Sequence, residues 1–284
     1  MFSSYELGLL SQIGINILLG LSVYVILSAG QLSLGNAGFM ALGAYTASVL
    51  TVNFKLPLTL ALVAAGLVSS GLGFIAGFPA LRLTGIYLSM VTLGFGQMIA
   101  AFFLVFAYTG AERGFFGMLP VKAGTIWAWT IGLGILTYLL ERSKAWLGVR
   151  AVEDDEFAAQ VTGLNTTVVK LSVFAYGAAL AGVAGGLYAH FTVYIEPHMF
   201  TFSQSVMVVL FVVFGGSETI FGPVLGAIVL TLLPEALRFI TDWRLGIYGA
   251  LLIVLLMFRP QGILTRAFLR RVASLRLAKR KEMS

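Results

Sequence analysis

Residues 56–78 read LPLTLALVAAGLVSSGLGFIAGF, an apolar run without a single charged side chain. About 20 such residues in one helix cross the hydrocarbon core of a bilayer. Runs of this kind fill most of the chain. We expect spans near residues 7–29, 33–52, 56–78, 83–108, 124–140, 170–194, 203–220, 222–240 and 245–258. The sequence therefore predicts an all-α, polytopic transmembrane helical bundle of eight or nine spans.

The composition excludes other classes of protein. Apolar residues make up 59% of the 284 positions and charged residues 11%, whereas soluble domains are about 25% charged. No soluble fold of this size could bury that much apolar surface, which excludes a soluble enzyme and a nucleic-acid binder. The apolar runs are continuous rather than alternating, so an outer-membrane barrel is excluded too. The chain has two His and no Cys, and no metal site is predicted.

Lys and Arg concentrate in the loop 141–170 and in the tail 259–284. The positive-inside bias places both segments in the cytoplasm, where the tail would lie beside anionic lipid. Four predicted spans separate them, an even number, so the two assignments agree. Counting back five spans puts the N-terminus outside, and the loops 109–124 and 195–202 then face outward. We predict a transmembrane domain over residues 1–258 and a basic cytoplasmic tail over 259–284.

Few polar groups fall at membrane depth, and most of them are amides. Amides in spans often join helices by hydrogen bonds, and contact with a polar solute is the alternative. His190 is predicted to lie at a helix interface, with a proton relay as the alternative. Proton-driven pumps usually need ionisable groups in their spans, which are almost absent here, so the energy for transport must come from elsewhere. The amides are Gln12, Asn16, Asn36, Gln97 and Gln204, of which all but Gln12 are candidates for a substrate path.

Pairs of glycines four residues apart are predicted to let helices approach closely, although they could also line a path. The pairs are Gly73/Gly77, Gly182/Gly186 and Gly222/Gly226.

The loop WLGVRAVEDDEFAAQVTGLNTTVVK, residues 146–170, is predicted to contain a short helix at 152–162. Four acidic residues, Glu153 to Glu156, would crowd its first turn, where the helix dipole favours anions. Gly163 is predicted to be its C-terminal cap. Phe157, Val161 and Leu164 would form one apolar stripe. Such a helix is either a solvated connector on the protein's own surface or a helix that docks into a groove on a partner.

The same loop resembles the coupling loop of ABC importer permeases, the segment that sits in a cleft of the ATPase. That signature is Glu-Ala-Ala, three residues and Gly. Here Phe157-Ala158-Ala159 is followed by Gly163, and the Glu stands one place early at Glu156. This variant resembles the permeases of branched-chain amino acid importers, the LivM/LivH type. Further segments resemble that family in order: Gly30–Leu50, Leu81–Met98, Thr109–Pro120, Gly222–Ala227 and Phe258–Leu264.

The resemblance implies a bacterial or archaeal inner-membrane permease of ABC importer type. It implies a second, LivH-like permease, two cytoplasmic ATPase subunits and an extracytoplasmic solute-binding protein. This chain would need no cofactor, because ATP and Mg²⁺ bind to the ATPases. The expected substrates are Leu, Ile and Val, with other amino acids, urea and short amides as alternatives. The implied coupling residues are Glu153, Asp154, Asp155, Glu156, Phe157, Ala158, Ala159, Val161 and Gly163.

The residues argue against two functions of another class. A membrane-embedded lipid-modifying enzyme would need acidic or His groups near an interface, and the outer loops offer Glu112, Glu196 and His198 without an evident constellation. A proton-translocating respiratory subunit would need buried acids.

Overall fold

The computed structural model describes residues 4–236, together with Gly249. These residues form ten α-helices and one pair of two-residue strands. The helices are α1 (Ser4–Leu27), α2 (Asn36–Val52), α3 (Leu58–Ala80), α4 (Ile86–Val105), α5 (Ala123–Glu141), α6 (Lys144–Asp154), α7 (Glu156–Val161), α8 (Thr166–Thr192), α9 (Phe202–Gly215) and α10 (Phe221–Ala236). The strands are β1 (Phe115–Phe116) and β2 (Tyr194–Ile195).

The predicted all-α membrane architecture is confirmed. Eight of the nine predicted spans coincide with helices α1–α5 and α8–α10, shifted by a few residues at their ends. Within the described residues, six helical runs are long and apolar enough to cross a membrane. They are α1, α3, α4, α5, α8 and the run Pro197–Gly215, in which a short 3₁₀ turn precedes α9. Helix α2 and the described part of α10 are shorter. The predicted span 245–258 and the tail 259–284 lie outside the described residues.

Helix α8 lies at the centre of the bundle, packed against α1, α2 and α3. Small residues make this close packing possible, because a Cβ on Gly182 would meet the backbone oxygen of Ala65 at 2.8 Å, and one on Gly73 would meet the Cβ of Ala178 at 2.6 Å. Gly226 faces the backbone of Phe211 on α9 more closely still. The prediction that the glycine pairs serve helix packing is therefore confirmed.

The loops expected to face outward lie together at one end of the bundle. Strand β1 pairs antiparallel with β2, with Phe115 opposite Ile195. Nearby, the Val121 amide donates a hydrogen bond to the His190 carbonyl at 3.0 Å. At the other end, Gly30 after α1 approaches Glu153 in α6, within the segment after α5. The two loops thus share one side and the segment after α5 lies on the other.

Helices α2 and α9 begin inside the bundle rather than at its surfaces. They enter from opposite ends, yet the Ala37 amide at the start of α2 donates to the Ser205 hydroxyl at the start of α9, at 3.3 Å. Their 17 and 14 residues span only about 25 and 21 Å, against a hydrocarbon core of about 30 Å. The preceding segments therefore run into the membrane before each helix starts, as in many transporter folds.

Candidate functional site

The segment between α5 and α8 builds the candidate coupling site. Its first element, α6, buries Trp146, Val149 and Val152 on one face and contacts α8. A salt bridge of 2.9 Å from Arg150 to Glu141 fastens α6 to the end of α5. Helix α6 is therefore an amphipathic support that lies against the core of the bundle.

The prediction of one helix over 152–162 is wrong, because the chain breaks at Asp155. This residue is extended, with φ −157° and ψ 107°, and its carboxylate accepts a hydrogen bond from the Ala158 amide at 3.0 Å. Asp155 is thus the N-cap of a separate helix, α7, a position that Asp strongly favours. Glu153 and Asp154 consequently lie in the last turn of α6, and only Glu156 of the four acidic residues occupies the first turn of α7.

The predicted cap at Gly163 is confirmed. Its φ is +87°, the left-handed region that glycine adopts without strain. The Gly163 amide donates to the Gln160 carbonyl at 2.9 Å, and the Leu164 amide donates to the Ala159 carbonyl at 3.2 Å. These two bonds form a Schellman motif, which ends α7 and turns the chain toward α8.

Two side-chain contacts fasten α7 to the central helix. Glu156 pairs with Lys170 at 2.5 Å. The side-chain amide of Gln160 donates to the Thr166 hydroxyl at 3.1 Å. Ala159, between Glu156 and Gln160 in α7, is buried. A displacement of α7 would therefore be transmitted to the start of α8.

The outer side of α7 is apolar and uncovered. Phe157 and Val161 expose 76% and 74% of their surface, Leu164 is exposed at the end of the stripe, and Ala158 is exposed beside them. The predicted stripe exists, and it points away from the described residues. This stripe, outside the membrane-spanning helices, is therefore the candidate contact surface for another molecule.

The two buried amides, Asn16 and Asn36, differ in how completely they are hydrogen-bonded. Asn16 donates to the Thr231 hydroxyl at 2.9 Å and accepts from Gln12, so it joins α1 to α10. Asn36 is fully buried and donates to the Ser22 hydroxyl at 2.5 Å, while its Oδ1 atom has no hydrogen-bond partner. Both amides thus join helices, and a role of either in the substrate path stays a prediction.

The other polar candidates lie on three different helices. Gln97 is exposed on α4 and Gln204 is partly buried in the first turn of α9. His190 is buried between helices, its Nε2 atom 2.9 Å from the Thr51 hydroxyl and its Nδ1 atom 2.8 Å from the Gly186 carbonyl, as an interface residue would be. Three of the four path candidates are sequence neighbours of residues that meet at the start of α2, because the Ala37 amide donates to the Ser205 hydroxyl and Gly38 packs against the backbone of Gly96. These three are Asn36, Gln97 and Gln204, whereas Asn16 contacts α10.

Among the described residues, no three His, Asp or Glu side chains are grouped as a metal ion would require. Of the outer-loop residues Glu112, Glu196 and His198, Glu196 accepts a hydrogen bond from the Tyr194 hydroxyl at 3.0 Å.

Sequence reasoning missed three features of this region. It missed the break at Asp155, although an Asp before Glu-Phe-Ala-Ala is a recognisable N-cap signal. It also missed the Glu156–Lys170 pair and the contact of Ser205 with α2. The last two join residues distant in sequence, and no local pattern reveals them.

Comparison with known proteins gives a consistent result. Residues 6–256 match the family described as "Branched-chain amino acid transport system / permease component". The chain is 33% identical to the high-affinity branched-chain amino acid transport system permease protein LivM of Salmonella typhimurium, over 92% of this chain and 70% of the relative. The Escherichia coli K12 LivM protein is 33% identical over 91% and 69%. The LivH permease of Salmonella typhimurium is 31% identical over 55% and 52%. No solved structure matches the chain.

Proposed function

Since this chain belongs to the family of branched-chain amino acid transport permeases, we propose that it carries Leu, Ile and Val inward as one subunit of an ATP-driven importer. As a permease of a branched-chain amino acid importer, it provides the membrane passage. ATP would be hydrolysed on two cytoplasmic partner subunits, and this chain would undergo no covalent chemistry.

The observation that supports this mechanism most is the exposed apolar side of α7. A six-residue helix with a capped start and a capped end is held rigidly, yet it presents Phe157 and Val161 to its surroundings. This arrangement fits the helix-in-groove mode of recognition, in which an apolar helical face enters a groove on a partner. The partner we propose is the ATPase.

The connections of α7 explain how ATP hydrolysis would reach the membrane. The Glu156–Lys170 pair and the Gln160–Thr166 bond link α7 to the first turns of α8. Helix α8 in turn packs on α1, α2 and α3. Closely packed helices move as units rather than deforming, so a shift of the ATPase cleft would be passed to the centre of the bundle.

Gln97 supports pairing with a second, LivH-like permease. It lies on α4 among exposed residues that are mostly apolar, such as Met90, Met98 and Phe102. An amide facing lipid without a partner is unfavourable, and amides commonly bridge helices within membranes. We propose that the second permease covers this face and that the amino acid path runs along the junction.

The outer end offers a surface for a solute-binding protein. Phe116 and Leu119 are largely exposed there, on a loop pinned by β1 and β2. Arg113 and Lys122 lie on the same loop, so acidic groups on a binding protein would complement it.

The substrate is tested by uptake of radiolabelled leucine into cells that express the complete transporter. We expect excess unlabelled isoleucine or valine to abolish uptake of the label, and urea or acetamide to leave it unchanged. Inhibition by urea or acetamide alone would assign the transporter to the amide-importing alternative.

A further inference from the structure

An apolar groove opens on the side of the bundle between α1, α5 and α10. It encloses about 360 Å³, and nearly all of its lining surface is hydrocarbon. Ile131, Ile135 and Phe221 at its edges are more than half exposed. The lining residues also include Leu21, Trp127 and Gly134. The groove lies along membrane-spanning helices, so its natural contents are apolar.

A polar pocket of about 570 Å³ continues from the end of this groove. Tyr138, Ile220 and Phe221 line both spaces, which makes them contiguous. The pocket lies where α5 ends and α6 begins, the side that the Lys and Arg distribution assigns to the cytoplasm. The polar residues that line it are Glu141, Arg142, Ser143, Lys144, Arg150 and Thr219.

The pocket is positively charged. Glu141 is engaged by Arg150, so the charges of Arg142 and Lys144 have no acidic partner within the described residues. Arg142 lies over the Tyr138 ring at 4.5 Å, which places its guanidinium group at the mouth of the groove. The pocket therefore offers the exposed cations of Arg142 and Lys144 to an anion.

We propose that this joined groove and pocket bind an anionic glycerophospholipid of the cytoplasmic leaflet. An acyl chain lies in the groove between α1, α5 and α10, and the phosphate lies between Arg142 and Lys144. Basic pockets at the ends of transmembrane helices bind anionic headgroups in this way. A free phosphate ion would leave the adjoining apolar groove empty, and a neutral lipid would leave the positive charge unbalanced.

The site is separate from the coupling surface. The residues of α7 line neither space, and Gln97 lies on the face of α4, away from both. The lipid would fill the angle between α5, α6 and α10, and would thus brace α6, the support from which α7 projects.

The test measures lipid retained by the purified full-length chain, assembled with its partners, by native mass spectrometry and by thermal stabilisation. The probes are dioleoyl-phosphatidylglycerol, dioleoyl-phosphatidylcholine and inorganic phosphate. We expect phosphatidylglycerol to be preferred over phosphatidylcholine and to raise the melting temperature. The double variant Arg142→Gln/Lys144→Gln should weaken phosphatidylglycerol binding about thirtyfold. Arg82→Gln, at the end of α3 and outside the site, is the matched control and should bind like the parent.

A second pair of variants tests the groove. In Gly134→Leu the new side chain enters the groove, and a Cβ there meets only Leu21, at 3.9 Å, so the helix tolerates it. Gly132→Leu, two residues away with no atom within 4 Å of its Cβ, is the control. Loss of phosphatidylglycerol binding in Gly134→Leu alone supports the proposal. Equal binding of the two lipids, unchanged binding in the double variant, or stabilisation by inorganic phosphate alone would overturn it.

Discussion

At the scale of single residues, the coupling segment depends on two positions with different physical roles. Phe157 supplies exposed apolar surface, whereas Gly163 supplies a backbone conformation that other residues adopt at a cost. Both roles were predictable from sequence, because an apolar stripe and a glycine cap are local patterns. The N-cap Asp155 was equally local, but the run of acidic residues obscured it.

Replacing Phe157 with Ala should weaken binding of the ATPase about thirtyfold, because loss of a large anchor at a hot spot costs about 2 kcal/mol. The measurement is pull-down of the ATPase by the detergent-solubilised permease. Phe116→Ala is the control, since it truncates the same side chain at 72% exposure on the opposite end of the bundle. Equal pull-down by both variants would mean that α7 is only a solvated connector.

Gly163→Val should lower uptake and substrate-stimulated ATP hydrolysis together. The left-handed conformation costs a non-glycine residue about 1–2 kcal/mol, and a β-branched side chain is among the least suited to it. No atom lies within 4 Å of the position where a Cβ would stand, so conformation rather than space is the constraint. Gly163→Asn should therefore retain most of the activity, and a loss as severe as that of Val would contradict this account.

At the scale of elements, the apolar runs predicted eight helices because a span needs a long apolar stretch whatever its neighbours are. They did not predict where α2 and α9 start within the membrane. Those starts depend on contacts between distant residues, Ala37 with Ser205 and Asn36 with Ser22. The division of 144–161 into α6 and α7 differs from this, because the local N-cap at Asp155 sets the break, and packing on α8 then holds α6 in place.

The bond from Asn16 to Thr231 should stabilise the packing of α1 on α10 without a role in transport. We expect Asn16→Ala and Thr231→Val each to lower the free energy of unfolding by about 0.6–1.7 kcal/mol. The double variant should cost no more than the larger single one, because both remove the same bond. Thermal unfolding of the four proteins measures this. A selective rise in the KM for leucine in Asn16→Ala would instead place Asn16 on the substrate path.

At the scale of the whole molecule, the structure places the 109–124 loop and the segment after α5 at opposite ends. The distribution of Lys and Arg assigns the second end to the cytoplasm. The chain lacks Cys, so single cysteines can report this orientation. Ala158→Cys should be protected from an impermeant thiol reagent in intact cells, and Phe116→Cys should be labelled. The reverse pattern would invert the topology and remove α7 from reach of an ATPase.

The most direct test of the central claim is uptake of labelled leucine by proteoliposomes that hold the assembled transporter, with binding protein and ATP supplied on opposite sides. We expect uptake only when this chain, its ATPase partners, ATP and the binding protein are all present. Phe157→Ala should reduce uptake and ATP hydrolysis in parallel. Leucine uptake that proceeds at the same rate without ATP, or without the ATPase subunits, would contradict the account.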